Sequence, residues 1–274
     1  MGRYRVGTTS FTYEDWVGPF YPEGCASEER LARYAKVFDL VEVDSTFYRM
    51  PSPEVSARWA AETPPGFLLT AKLSRRITHE AQLVGVEDMV GAFLARMLPV
   101  KEAGKLGALL AQFPPSFSRK RGAALLEPFL DVVPASWPLA VEFRNDSWFV
   151  PETYAALRQR NRALVWLVTH EGMTPPEVTA DFLYARLAGP DRIFTTFDRV
   201  QRDMKPAMQE LHARLEQEGK DADRAFLLCS NHFEGHGPGT AARLCEVLGL
   251  PAAELARAKE PLTGKPQRSL ADFA

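Results

Sequence analysis

Charged and amide side chains recur in this sequence where short apolar runs end: Glu42 and Asp44, Lys72, Gln112, Glu142 and Arg144, Arg186, then Ser230 and Asn231. In an extended strand, alternation puts Glu42 on one face with Asp44 and Glu142 with Arg144, while Val41, Val43, Val141 and Phe143 take the other. If the polar set points inward, carboxylates, an ammonium and guanidinium groups converge in one mouth. That chemistry suits proton transfer and the steadying of developing charge. A desolvated Glu142 could act as a general base, whereas a nearby Lys72 or Arg144 would lower its pKa and favour an electrostatic role. A ring of salt bridges that merely satisfies buried charges is the plainer alternative. On the functional reading, Glu42, Lys72, Glu142 and Arg144 are the catalytic candidates, and Asp44, Gln112, Arg186 and Asn231 would contact the ligand.

Aromatic residues crowd the segments after several of these runs, among them Phe11, Tyr13, Trp16, Phe20 and Tyr21, then Phe47 and Tyr48, then Trp148 and Phe149. A flat apolar face beside charged groups suits a sugar ring, a nucleobase or another compact polar ligand. Trp16 and Tyr48 are the preferred pocket residues, with Trp148 a third, although for any single ring ordinary loop packing is the readier explanation. Of five histidines, His79 follows the third apolar run and joins the ligand-binding set, while His232 and His236 follow the eighth. No HExxH or His-x-His spacing marks a metal site, so no metal ligand is assigned and no cofactor is named. Gly237 and Gly239 could offer backbone N–H groups to an anion, but a tight turn into a last helix is the simpler reading of that glycine-rich stretch.

The elements that would position these groups alternate. Eight short runs rich in aliphatic, β-branched or aromatic residues read as strands: 4–6, 40–43, 67–73, 108–112, 139–143, 163–168, 182–187 and 225–229. Apolar residues on both faces are expected of parallel strands with helices outside and packed side chains within. Helical patterns fill most gaps, at 53–62, 87–101, 121–133, 151–160, 203–218 and 239–248, with an earlier one opened by Ser27-Glu28-Glu29. The exception is 169–181, where Thr174-Pro175-Pro176-Glu177 is too short and proline-rich for a full crossover helix. The expected fold is an α/β (β/α)8 TIM barrel, with room for one degenerate outer helix, and reactive groups belong at the strand C-terminal ends.

The 274 residues, 46% hydrophobic and 25% charged, fit one barrel domain over 1–274, with 259–274 a candidate mobile tail. A net charge of −2 gives no general pull toward nucleic acid or anionic membrane, although a local basic patch stays open. Three cysteines without CxxC spacing suggest neither a disulfide framework nor a four-cysteine zinc site, which fits a reducing cytosol. No signal peptide or membrane-length apolar stretch is apparent, so a soluble cytoplasmic protein is expected. Oligomeric state is not legible.

Gly7-Thr8-Thr9-Ser10, Asp15-Trp16 with Phe20-Tyr21-Pro22, 41–48 (VEVDSTFY) and Ile77-Thr78-His79 together resemble the pattern of the DUF72 (YecE-like) family. The likeness continues through Gly104-Lys105-Leu106-Gly107, Gln112-Phe113-Pro114, Val141-Glu142-Phe143-Arg144 and Ser147-Trp148-Phe149, covering nearly the whole chain. The resemblance implies a TIM-type barrel and no known reaction. Two blocks depart from it: Arg186-Leu187-Ala188-Gly189 stands where many relatives carry Arg-x-His-Gly, and Cys229-Ser230-Asn231 where they often carry Phe-Asn-Asn. Both thin the polar ring, which puts in doubt any family chemistry that needs the missing histidine or asparagine.

Three functional readings follow. The first is an enzyme using strand-end carboxylates for acid–base or hydrolytic chemistry, as a hydrolase or lyase, on a small polar, carbohydrate-like or phosphorylated ligand. Lys72, Arg144 and Arg186 would then bind its anionic groups. The second is a non-catalytic module for a ligand or a nucleic-acid end. The third, by analogy with other barrels, is a metal-dependent hydrolase.

Overall fold

The computed structural model describes residues 3–190 and 193–262. The apolar runs form β1 (Tyr4–Thr8), β2 (Leu40–Val43), β3 (Leu68–Lys72), β4 (Leu106–Gln112), β5 (Leu139–Glu142), β6 (Ala163–Thr169), β7 (Gly172–Met173), β8 (Phe182–Leu187) and β9 (Arg224–Cys229). All but β7 are parallel, and the pairings run from β1 through β6 to β8 and β9 and back to β1, closing a barrel of eight strands. β7 pairs antiparallel with the end of β6, outside the closed set.

Between the strands lie α1 (Arg30–Tyr34), α2 (Ser45–Tyr48), α3 (Pro53–Glu62), α4 (Glu87–Glu102), α5 (Arg119–Val132), α6 (Pro151–Gln159) and α7 (Lys205–Gln217), and after β9 come α8 (Asn231–Glu234) and α9 (Gly237–Val247). Local chemistry sets their starts. Ser52 Oγ accepts the Val55 N–H ahead of Pro53 at the first turn of α3, and His236 Nδ1 accepts the Gly239 N–H at the start of α9. Between β6 and β8 the chain makes the β7 hairpin and a proline-rich irregular stretch but no helix, so the crossover expected to be degenerate at 169–181 has no helix at all. The short α2 and α8 escape a reading based on periodicity, being only four residues each.

Two apolar cores follow from strand alternation. Leu40, Ala108, Leu110, Ala140, Ala163, Val165, Phe182, Tyr184, Phe226 and Leu228 pack together inside the barrel. Val41, Val43, Val141 and Phe143 belong instead to the larger core shared with helix residues such as Leu126, Phe129 and Leu130. Gly7 closes the β1–β2 seam: a Cβ there would lie 2.0 Å from the Leu40 carbonyl oxygen, so the two backbones approach this closely only without a side chain. The segment around 255–261 docks on α1, with Arg33 donating to the Glu260 carbonyl at 3.0 Å and Lys36 to that of Pro261 at 2.7 Å. Most of the stretch expected as a tail lies outside the described residues. Among the described residues, no helix is long and apolar enough to cross a membrane.

Candidate functional site

The alternation that puts Leu40, Ala140 and Phe182 inside the barrel carries the next inward residues toward its C-terminal end. These are Glu42 on β2, Thr70 and Lys72 on β3, Gln112 on β4, Glu142 on β5, and Tyr184 and Arg186 on β8. Parallel register sets their levels, since Glu42 lies beside Thr70 and Gln112 beside Glu142. The innermost level is a closed network. Arg186 Nη2 donates to Glu42 Oε1 and its Nη1 to Glu142 Oε2, both at 2.8 Å. The Tyr184 hydroxyl donates to Glu42 Oε2 at 2.6 Å and lies 2.8 Å from Thr70 Oγ1. Neither glutamate has any solvent exposure.

Burial and pairing act in opposite directions on these carboxylates. Burial alone would raise Glu142, but Arg186, Arg144 and Lys72 bring it down to about 2, so it stays ionised through the neutral range. Glu42 has fewer cationic neighbours; there burial prevails and pushes the carboxyl up against the pull of Arg186. Tyr184 is raised well above the usual phenol value by burial and by Glu42. Arg186, expected from the sequence to hold an anionic ligand, has both Nη groups committed to carboxylates, and its buried Nε has no hydrogen-bond partner among the described residues.

The outer level is more open. Arg144 donates through Nε to Glu142, and its side chain keeps 30% exposure. Among the described residues, no acceptor engages its two Nη groups. Lys72 lies 3.2 Å from Asp44 and 4.1 Å above the Phe47 ring, a cation–π contact. Thr46 fixes this corner, its hydroxyl lying 2.7 Å from both the Val43 and the Lys72 carbonyl oxygens, so α2 ties the ends of β2 and β3 together. His79, on the π-helical turn Arg76–Glu80, packs edge-on against Phe47 at 4.8 Å, with Nδ1 2.9 Å from Thr78 Oγ1. Burial, reinforced by Lys72, Arg75 and Arg144, lowers its pKa below the ordinary histidine value, so the ring is neutral at pH 7.

Other residues singled out from the sequence sit elsewhere. Trp16 is 1% exposed, packs against Phe20 and His236, and donates through Nε1 to Asn231 Oδ1 at 3.2 Å. Asn231 also accepts the Gly237 N–H at 2.6 Å, and Gly239 donates to His236, so neither glycine amide is left for an anion. Trp148, also 1% exposed, stacks between Phe117 and Phe143 and donates to the Phe117 carbonyl. For both tryptophans the stacking wall is replaced by rim packing, because each indole N–H finds a buried acceptor. Tyr48, at 70% exposure, borders a cleft beside the mouth. Gln112 is half-buried at the level of Glu142. Among the described residues, no three His, Cys, Asp or Glu side chains group as a metal site. A search for charges at strand ends misses Tyr184 and Thr70, which stand two positions before Arg186 and Lys72 on the same strand faces.

A family model described as "Protein of unknown function DUF72" matches residues 5–266. The chain belongs to the DUF72 family. In agreement, it is 29% identical over 177 residues to UPF0759 protein YunF of Bacillus subtilis, covering 63% of this chain and 61% of that protein. To UPF0759 protein YecE of Escherichia coli it is 36% identical over 119 residues, 43% of each. These matches thus span less than two thirds of the curated DUF72 relatives. A DUF72 crystal structure from Thermotoga maritima superposes with a TM-score of 0.76 at 27% identity, covering 90% of this chain and all of that one. One from Enterococcus faecalis gives 0.76 at 24%, covering 96% and 100%, and shows the shared fold.

Proposed function

We propose that the barrel mouth binds a small hydroxylated anion, such as a sugar acid or sugar phosphate, and moves a proton on it. The observation that carries this reading is the Arg144 side chain, anchored to Glu142 through Nε with its two Nη groups left for a ligand at the rim. A guanidinium so held is already oriented, and its fork matches a carboxylate or phosphate. Lys72 supplies the second cation. Gln112 offers an amide for hydroxyl recognition.

The proton acceptor in this reading is His79, whose neutral ring borders the cationic pair. A base beside cations stays unprotonated, and the same cations stabilise negative charge that develops when a proton leaves the ligand. Glu142, ionised down to about pH 2, is too weak a base for that step and serves to position Arg144. Glu42, Arg186 and Tyr184 form the support beneath, holding the charge spacing rigid.

Calorimetric titration of sugar acids and sugar phosphates against their uncharged parent sugars tests the binding part. At least one anion should bind the wild type and bind Arg144→Ala at least tenfold more weakly. Equal affinity for a neutral parent, or unchanged affinity in the variant, would overturn the assignment.

A further inference from the structure

Beside the mouth, a separate cleft of about 740 Å³ lies between the α2–α3 connection, the turn after β3, and α4. Its volume is within the range of small-molecule sites, roughly 300–1,000 Å³. Three guanidinium-bearing residues, Arg49, Arg76 and Arg96, line it with Ser45, Ser52 and Ser74, and among the described residues no carboxylate is part of its wall. Among the described residues none of the three arginines forms an ion pair. Arg96 is anchored by donating through Nη1 to the Pro51 carbonyl at 3.1 Å, and exposed Glu54 is the acid whose titration it affects. Elsewhere on the surface, Arg75 pairs with Glu80 and Arg58 with Glu62. A concave wall with unmatched guanidinium groups is built for an anion supplied from outside.

The rim narrows the class of anion. Tyr48 is the most exposed large apolar side chain among the described residues, at 70%, and its ring is braced edge-on by Phe47 at 5.1 Å. A braced, exposed ring at the lip of a cationic cleft offers a stacking face for a planar group next to a phosphate. We infer that this cleft is a binding site for a nucleoside phosphate, its phosphate held by Arg49, Arg76 and Arg96 and its base stacked on Tyr48. The cleft lies beside the mouth, with which it shares α2 and the turn Arg76–Glu80 that also carries His79.

Isothermal titration calorimetry with adenosine 5′-monophosphate tests the assignment on the full chain. The wild type should bind the nucleotide, with adenosine at least tenfold weaker because it lacks the charge. The double variant Arg49→Ala/Arg76→Ala, at two exposed positions, should weaken the nucleotide at least tenfold at an unchanged melting temperature, and Tyr48→Ala should weaken it further than it weakens inorganic phosphate. Arg144→Ala, in the mouth, should leave the nucleotide affinity within twofold. No binding by the wild type at millimolar nucleotide, or full binding by the double variant, would overturn the proposal. So would loss of nucleotide binding in Arg144→Ala with the double variant unaffected, because that result puts the nucleotide in the mouth.

Discussion

Arg186 on β8 and Glu42 on β2 meet inside the barrel, Nη2 to Oε1 at 2.8 Å, with both side chains out of solvent. The same guanidinium holds Glu142 on β5 at 2.8 Å, so one cation joins three strands that are not neighbours in the sheet. Attraction within such a bridge roughly offsets the cost of removing its charges from water, so its worth lies in arrangement more than in net stability.

Removing the cation alone should therefore be severe. Arg186→Met leaves two carboxylates buried without their shared partner and is expected to cost about 3–5 kcal/mol. Urea denaturation at neutral pH measures it. The triple variant Arg186→Met/Glu42→Gln/Glu142→Gln, which removes the charges together, should lose less than the single variant; the reverse order would show that the bridge stabilises by its own attraction.

Glu142 gives the fold an acid-sensitive component. Its folded-state pKa of about 2 lies below the ordinary glutamate value, so its contribution is complete above the unfolded pKa and fades as pH falls toward 2. The difference corresponds to about 3 kcal/mol. Between roughly pH 4.5 and 2, wild-type stability should fall more steeply than that of Glu142→Gln, read from urea midpoints at each pH. Parallel curves would remove this assignment.

His236 acts in a higher pH window. Burial lowers its pKa to about 4, and its neutral Nδ1 accepts the Gly239 N–H that starts α9. The depressed value means that its contribution is present above the unfolded pKa near 6.5 and lost as pH falls toward 4, again about 3 kcal/mol. His236→Asn keeps an N-cap acceptor and removes the titration. Its stability should be nearly flat across that window where the wild type declines, and an equal decline in both would assign the effect to another group.

The barrel was legible because its cues are local and redundant. Each strand is a short apolar run, each long helix has an apolar face or a start signal such as Ser52-Pro53, and β7 replaces a helix where Pro175 and Pro176 forbid one. Alternation also put Glu42 with Asp44 and Glu142 with Arg144 on single faces of their strands, without fixing that those faces turn inward. It could not tell how they would pair, since Glu42 and Arg186 are 144 residues apart and the pairing depends on barrel closure. The same gap explains the tryptophans. A ring on a loop near a mouth reads equally as wall or as filler, and only the acceptors at Asn231 and the Phe117 carbonyl distinguish these for Trp16 and Trp148. The lowered pKa of His79 likewise arises from its burial, reinforced by the charges of Lys72, Arg75 and Arg144, which no spacing in the sequence reveals.

The most direct test of the mouth as a proton-transfer site is deuterium incorporation. Sugar acids and sugar phosphates are incubated with the protein in heavy water, and loss of carbon-bound proton signals is followed by NMR. The account predicts exchange at a carbon next to the carbonyl of at least one compound, on the order of 100-fold or more above the enzyme-free rate, abolished by His79→Asn and strongly reduced by Lys72→Met while both variants remain folded. Exchange that survives intact in His79→Asn, or no exchange above background with any compound in the wild type, would contradict it.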